Sequence, residues 1–175
     1  MIETETPPER AYLVALDVPD SRFDAEDSLE ELGALVAAAG GTVAGQAIQQ
    51  RRTPDRNSWV GKGKAEEIAR EVARLRADIV VADDELSPAQ QRTLEEATSV
   101  PVVDRSGVIL DIFARHARSR EGRIQVELAQ LEYRLPRLTG RGKQMSRLGG
   151  GIGTRGPAKR SSRATGRSFG SGSRT

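Results

Sequence analysis

The sequence predicts an α/β fold: a small parallel sheet with flanking helices, then a long helix and a disordered Gly/Arg/Ser tail. Three observations point to it. Short apolar runs ending in aspartate alternate with segments whose apolar residues recur at helical spacing. A stripe of four aliphatic residues, at offsets 0, 4, 7 and 11, then runs from Ile124 to Leu135. Beyond Pro157 the chain turns to serine, arginine and glycine without apolar periodicity.

Residues 1–10 are a polar leader with Pro7 and Pro8. AYLVALDV (11–18) is a buried strand that Pro19 ends. From Asp24 to Ala39, Leu29, Leu32, Leu35 and Val36 share one helical face, and Gly40-Gly41 stops the helix. TVAGQAIQQ (42–50) has modest β character and leads into the polar loop RRTPDRNSWVGKGK. Lys64 to Arg76 reads as a helix with Ile68, Val72 and Leu75 on one face. ADIVVADD (77–84) is a strand. Ser87-Pro88 supplies an N-cap and first-turn proline for a helix to about Ala97. VPVVD (100–104) is a fourth strand, so Asp17, Asp83, Asp84 and Asp104 belong at or just beyond strand C-termini. One helix then starts near Ser106, with Ile109, Ile112 and Phe113 on its first apolar face, and ends at Pro136. Its stripe of Ile124, Leu128, Leu131 and Leu135 requires a partner helix for burial. The parts divide as 1–104, an α/β subdomain; 105–140, the long helix; 141–157, a Gly-rich basic loop; and 158–175, the tail.

The formal charge of +2 hides an asymmetry. Nine of the 27 Lys/Arg and none of the 25 Asp/Glu fall in 141–175, leaving residues 1–140 at −7. An acidic body with a basic end suits contact with a polyanion. No cysteine is present and His116 is the sole histidine, which excludes disulfides, thiolate chemistry and His-rich metal sites. No apolar run approaches the roughly 18 residues of a membrane span, and MIETETPPER is unlike a signal peptide, so a cytoplasmic location is expected.

Five features carry candidate chemistry. Gly151 to Gly156 spells G-x-G-x-x-G, but a basic loop precedes it and low complexity follows, whereas a dinucleotide site needs a strand before and a helix after. Gly61, Lys62, Gly63 and Lys64 form a turn suited to an anion at a helix start, equally readable as a solvated cap. Asp83, Asp84 and Glu85 could bind a metal or exchange protons, or simply form a strand-to-helix turn. Trp59, with Arg51, Arg52 and Arg56 nearby, could stack on a base or cover a sheet edge. Finally, Arg115, Arg118, Arg120 and Arg123 precede the basic loop and could meet phosphates.

The blocks WVGKGKAEEI (59–68), VVADDELSPAQQRTLEEA (80–97), VVDRSGVILDIFARHARSREGRIQVELAQLEYRLPRLTG (102–140) and SRLGGGIGTRGP (146–157) together resemble the N-terminal domain of the HflX family of ribosome-associated GTPases. The resemblance implies that the long helix is half of an antiparallel helical pair, followed in relatives by a P-loop domain that binds GTP and Mg2+. It implies docking on the large ribosomal subunit and on ribosomal RNA, and splitting of stalled ribosomes by full-length members. Arg141, Lys143, Arg147 and Arg155 are then the expected phosphate contacts, with Arg115 and Arg118, while Gly149, Gly150, Gly151 and Gly153 permit close approach. Where relatives continue with a segment like GETKLESDR, this chain has AKRSSRATG (158–166), which a one-base shift of a suitable coding sequence reproduces. The tail is therefore expected to be out of frame. With no P-loop, no cofactor and no GTP hydrolysis are expected of this chain, and the helix with the uncovered stripe is expected to stay exposed, self-associate or fray. Two rival readings stand beside this one: a nucleotide-binding α/β domain using Gly61–Lys64 and the Asp83/Asp84 turn, and a helix-pairing module without RNA affinity.

Overall fold

A computed structural model describes residues 7–138. Four strands, β1 (Arg10–Asp17), β2 (Thr42–Gln50), β3 (Ile79–Ala82) and β4 (Val102–Asp104), form one parallel sheet in the order β2-β1-β3-β4. The intervening helices are α1 (Ala25–Ala38), α2 (Lys62–Leu75) and α3 (Pro88–Thr98), and α4 (Arg105–His116) and α5 (Arg120–Leu138) follow β4. The expected α/β architecture is present.

β1 explains the layering. It is apolar at nearly every position, as a central strand covered on both faces must be. Tyr12, Val14 and Leu16 point to one core, which they share with Trp59, Ile68, Val72 and Leu94 from the α2/α3 side. Ala11, Leu13 and Ala15 point to the other, packed by Leu29, Leu32, Val36 and Val108 of α1 and α4. The period of two that splits β1 also splits β3, with Val80 in the first core and Ile79 and Val81 in the second.

Local signals set the element ends. Asp24 caps α1 by accepting from Glu26 N, and Gly40 at φ 86 takes the chain out of the helix where a side chain would be strained. Ser87 and Gln90 form a reciprocal capping box with Pro88 in the first turn of α3. α2 starts two residues earlier than its apolar spacing suggests, so Lys62, Gly63 and Lys64 lie in its first turn.

Two expectations about the C-terminal part are corrected. The single helix from Ser106 is two helices, broken at 117–119, and α5 folds back along α4 so that Tyr133 reaches Asp104 at the start of α4. Ala117 leaves the helix at ψ 115, and Ser119 accepts from Gly122 N to start a new one. The charged stretch HARSREGR is where no apolar face holds the helix on course. Pro136 does not end α5 but lies within its last turn, where it forfeits a single amide donor while Arg137 anchors the turn by side-chain bonds. On α4, Gly107, Val108 and Asp111 are the buried positions, whereas Phe113 is exposed.

Candidate functional site

The sheet brings the acidic strand ends together along one edge. β1 and β3 are neighbours whose following connections leave toward opposite faces, and a cleft of about 540 Å3 opens there, between the chain after Leu16 and the Asp83-Asp84 turn. The carboxylates of Glu31, Asp83 and Asp84 in its lining are engaged within the protein. Asp83 is salt-bridged by Arg105 and accepts from the Ser28 hydroxyl at 2.5 Å, while Arg105 also reaches Glu31 at 3.3 Å. Asp84 accepts from Trp59 Nε1 at 3.0 Å. Burial holds the Asp84 carboxyl above its ordinary range; the Trp59 hydrogen bond opposes that, the neighbouring Asp83 charge adds to it, and Arg105 pulls it back. Of the two readings of this acidic run, the bonds of Asp83 and Asp84 favour the strand-to-helix turn. Among the described residues no group of three or more His, Cys, Asp or Glu side chains is placed to hold a metal.

Of the two readings of Trp59, its burial favours the structural one over base stacking. It is 1% exposed and belongs to the core that also holds Ile68 and Leu94. Its backbone, at φ 63, forms an isolated antiparallel bridge with Asp55 that closes the loop 55–59.

Gly61 is the N-cap of α2 and gives it no side-chain cap, although its own N–H is taken by Gln49 Oε1 at 2.9 Å. The first turn holds no acidic residue, Gly63 faces open space, and Lys64 pairs with Glu67 at 3.3 Å. The turn is not a Walker A loop: its glycines lack that spacing, Ala65 stands where the hydroxyl would be, and Asp83 and Asp84 are bonded within the protein.

The arginines divide between two ends of the molecule. Arg115 lies at the far end of α4, where its guanidinium covers Gly40 and reaches Asp111 at 3.4 Å; Arg118 is exposed in the turn beside it. The 19 residues of α5 then carry the chain about 28 Å back, at 1.5 Å per residue, toward the strand C-termini. Arg115 and Arg118 are therefore not brought beside Gly61–Lys64. Arg141, Lys143, Arg147, Gly149, Gly150, Gly151, Gly153 and Arg155 lie outside the described residues, as do the motif 151–156 and the tail.

Two functional-looking residues escaped the sequence reading, Tyr133 and Arg137; they join Asp104, which it had placed at a strand C-terminus, at the base of the helical hairpin. A signal was available. Val126, Gln130, Tyr133 and Arg137 repeat at the same offsets as the leucine stripe, one face over, and Gln130 of that face is buried. The leucine stripe itself stays bare, with Ile124, Leu128, Leu131 and Leu135 each 52–60% exposed.

Comparison with known proteins gives this arrangement a lineage. A family model described as GTP-binding GTPase N-terminal matches residues 26–114, and one described as GTP-binding GTPase Middle Region matches residues 116–169. Their boundary falls at the end of α4, just before the hairpin turn. The chain is 51% identical over 151 residues to the GTPase HflX of Caldanaerobacter subterraneus subsp. tengcongensis, covering 86% of this chain and 35% of the relative. It is likewise 51% identical over 160 residues to the GTPase HflX of Lacrimispora saccharolytica, covering 91% and 38%. It thus spans little more than a third of these relatives' length. A crystal structure of a GTP-binding protein from Sulfolobus solfataricus in complex with GDP shares the fold at TM-score 0.56 and 25% identity, covering 74% of this chain and 38% of that one. With the two regions matched in order on either side of the hairpin turn, the chain belongs to the HflX family of GTPases and represents its N-terminal region.

Proposed function

We propose that this region is the part of an HflX-type GTPase that binds the large ribosomal subunit, through phosphates of ribosomal RNA. In this reading GTP and Mg2+ belong to the remainder of the relatives' length, and splitting of stalled ribosomes is an activity of the whole protein. The observation that carries it is the charge pattern within a family member: residues 1–140 stand at −7, and the segment after them has no acidic residue. Arg141, Lys143, Arg147 and Arg155 neutralise phosphates, and Gly149, Gly150, Gly151 and Gly153 let the backbone approach them. The protein then works among cytoplasmic ribosomes.

The test is co-sedimentation with purified large subunits across a salt series. Four neutralised phosphates give a log–log slope of roughly −3, so affinity falls about 60-fold between 50 and 200 mM salt. Replacing Arg141, Lys143, Arg147 and Arg155 by glutamine flattens the slope. Salt-insensitive binding, or none, overturns the reading.

The second reading, an anion or nucleotide at Gly61–Lys64, is favoured by one observation: the unfilled N-terminus of α2, free of acidic residues. Titration with ATP and GTP, against a Lys62→Ala/Lys64→Ala control, separates the two. Saturable nucleotide binding that the control abolishes supports the second reading.

A further inference from the structure

We infer that Asp104, Tyr133 and Arg137 form a latch that fixes the direction of the helical hairpin on the α/β body. Asp104 ends β4 and is 1% exposed. Its Oδ1 accepts from Gly107 N at 3.0 Å, capping α4, and its Oδ2 accepts from Leu86 N at 3.0 Å, holding the loop after β3. Those bonds stay within the body. To them α5 adds the Tyr133 hydroxyl, which donates to Asp104 Oδ1 at 2.8 Å, and the Arg137 guanidinium, 3.6 Å from Oδ2.

Arg137 spreads the attachment. It donates to Gln91 Oε1 at 2.7 Å and to the Leu86 carbonyl at 2.9 Å, and its guanidinium carbon lies 3.9 Å from the centroid of the Tyr133 ring. Gln91 in turn donates to the carbonyl of Val102, so the chain of bonds returns to β4. A planar fork fits this task, since one side chain spans a carbonyl, an amide and a carboxylate. Burial and the Asp104 charge push the Tyr133 phenol upward, so it remains a donor throughout the neutral range.

Two features mark the cluster as an attachment point and not merely a buried polar patch. Gly107 leaves a hollow for the phenol: a Cβ there would lie 3.0 Å from Tyr133 Oη. The opposite face of α5 carries the exposed stripe Ile124, Leu128, Leu131 and Leu135, which among the described residues leaves the attachment to the polar face. The latch sits in the last two turns of α5. It therefore sets the course of the hairpin and holds the end of α5 on the strand C-terminal side.

The full chain contains no cysteine, which allows paired spin labels at Glu66→Cys and Arg118→Cys. The expected result is a narrow distance distribution that Tyr133→Phe and Arg137→Gln broaden. Amide exchange over 120–138 rises about tenfold or more in each, the loss of one charge-assisted bond, while β1 and β3 keep their protection. Gly107→Ala provides a variant that improves helix propensity yet fills the hollow; it broadens the distribution too. Unchanged distances and exchange in all three variants overturn the inference. So does exchange that rises equally in the sheet, because the cluster would then serve the core as a whole.

Discussion

Replacing Trp59 by phenylalanine separates a structural tryptophan from an RNA-stacking one. The ring is 1% exposed and its Nε1 donates to Asp84 at 3.0 Å. Phenylalanine keeps most of the apolar contact, and the smaller ring forgoes about 1 kcal/mol of burial. The larger loss is the hydrogen bond to a half-buried carboxylate, about 1.5–3 kcal/mol. Together the variant is destabilised by about 2.5–4 kcal/mol, a large share of the usual 5–15 kcal/mol for a domain. The pH dependence follows from Asp84. Its carboxyl is already held above the ordinary range by burial, and the Trp59 bond favours the charged form. Removing that bond raises it further, so the penalty is greatest at neutral pH and shrinks as acid protonates Asp84. Urea unfolding followed by circular dichroism at neutral and mildly acidic pH measures both effects. An unchanged midpoint, or a penalty that does not vary with pH, refutes the argument. Loss of subunit binding at full stability restores the stacking role.

Asp84→Asn tests the same carboxylate from the other side: an amide oxygen still accepts from Trp59 without the cost of burying charge, so the urea midpoint rises at neutral pH and the advantage fades as pH falls through the native value of Asp84. A lower midpoint at neutral pH contradicts this. Ser87→Ala removes the capping box of α3 and costs about 1 kcal/mol in the same assay. Gly45→Ala drives a methyl to 2.7 Å from Leu75 Cδ1 and 3.0 Å from the Tyr12 ring, costing about 1–3 kcal/mol by overpacking; thermal unfolding that matches the parent refutes it.

The body was legible in the sequence because its signals are local and redundant. The unbroken apolar runs of β1 and β3, the Asp24 cap, the Ser87-Pro88 start and the glycines after α1 each act within a few residues. The hairpin was not, because its course depends on contacts distant in sequence. Tyr133 meets Asp104 across 29 positions and Arg137 meets Leu86 across 51. Periodicity correctly gave a helix around Ile124–Leu135, yet could not tell which of two equally spaced faces would meet the body. Hydropathy favours the leucines, whereas the polar face wins because Tyr133 and Arg137 satisfy the buried carboxylate of Asp104. For Trp59 the sequence left open a stacking and a covering role, because neighbouring arginines say nothing of Asp84, 25 positions on, which its Nε1 meets.

The bare stripe sets a limit on what self-association can achieve. Full burial of Ile124, Leu128, Leu131 and Leu135 stabilises by about 1.5–3 kcal/mol each, but they are only 52–60% exposed, so roughly half of that remains to be gained. Four residues then offer about 3–6 kcal/mol on each of two copies. Association costs on the order of 4–15 kcal/mol in lost motional freedom, which leaves a weak, concentration-dependent dimer. A covering helix in the same chain escapes most of that cost, because its effective concentration is fixed by a short linker. The face is therefore better suited to an intramolecular partner than to a second copy. Sedimentation velocity across a hundredfold concentration range tests this: reversible dimerisation that Leu128→Gln/Leu131→Gln abolishes is expected. A tight dimer persisting at nanomolar concentration refutes the arithmetic, and a dimer unaffected by the substitutions refutes the choice of face.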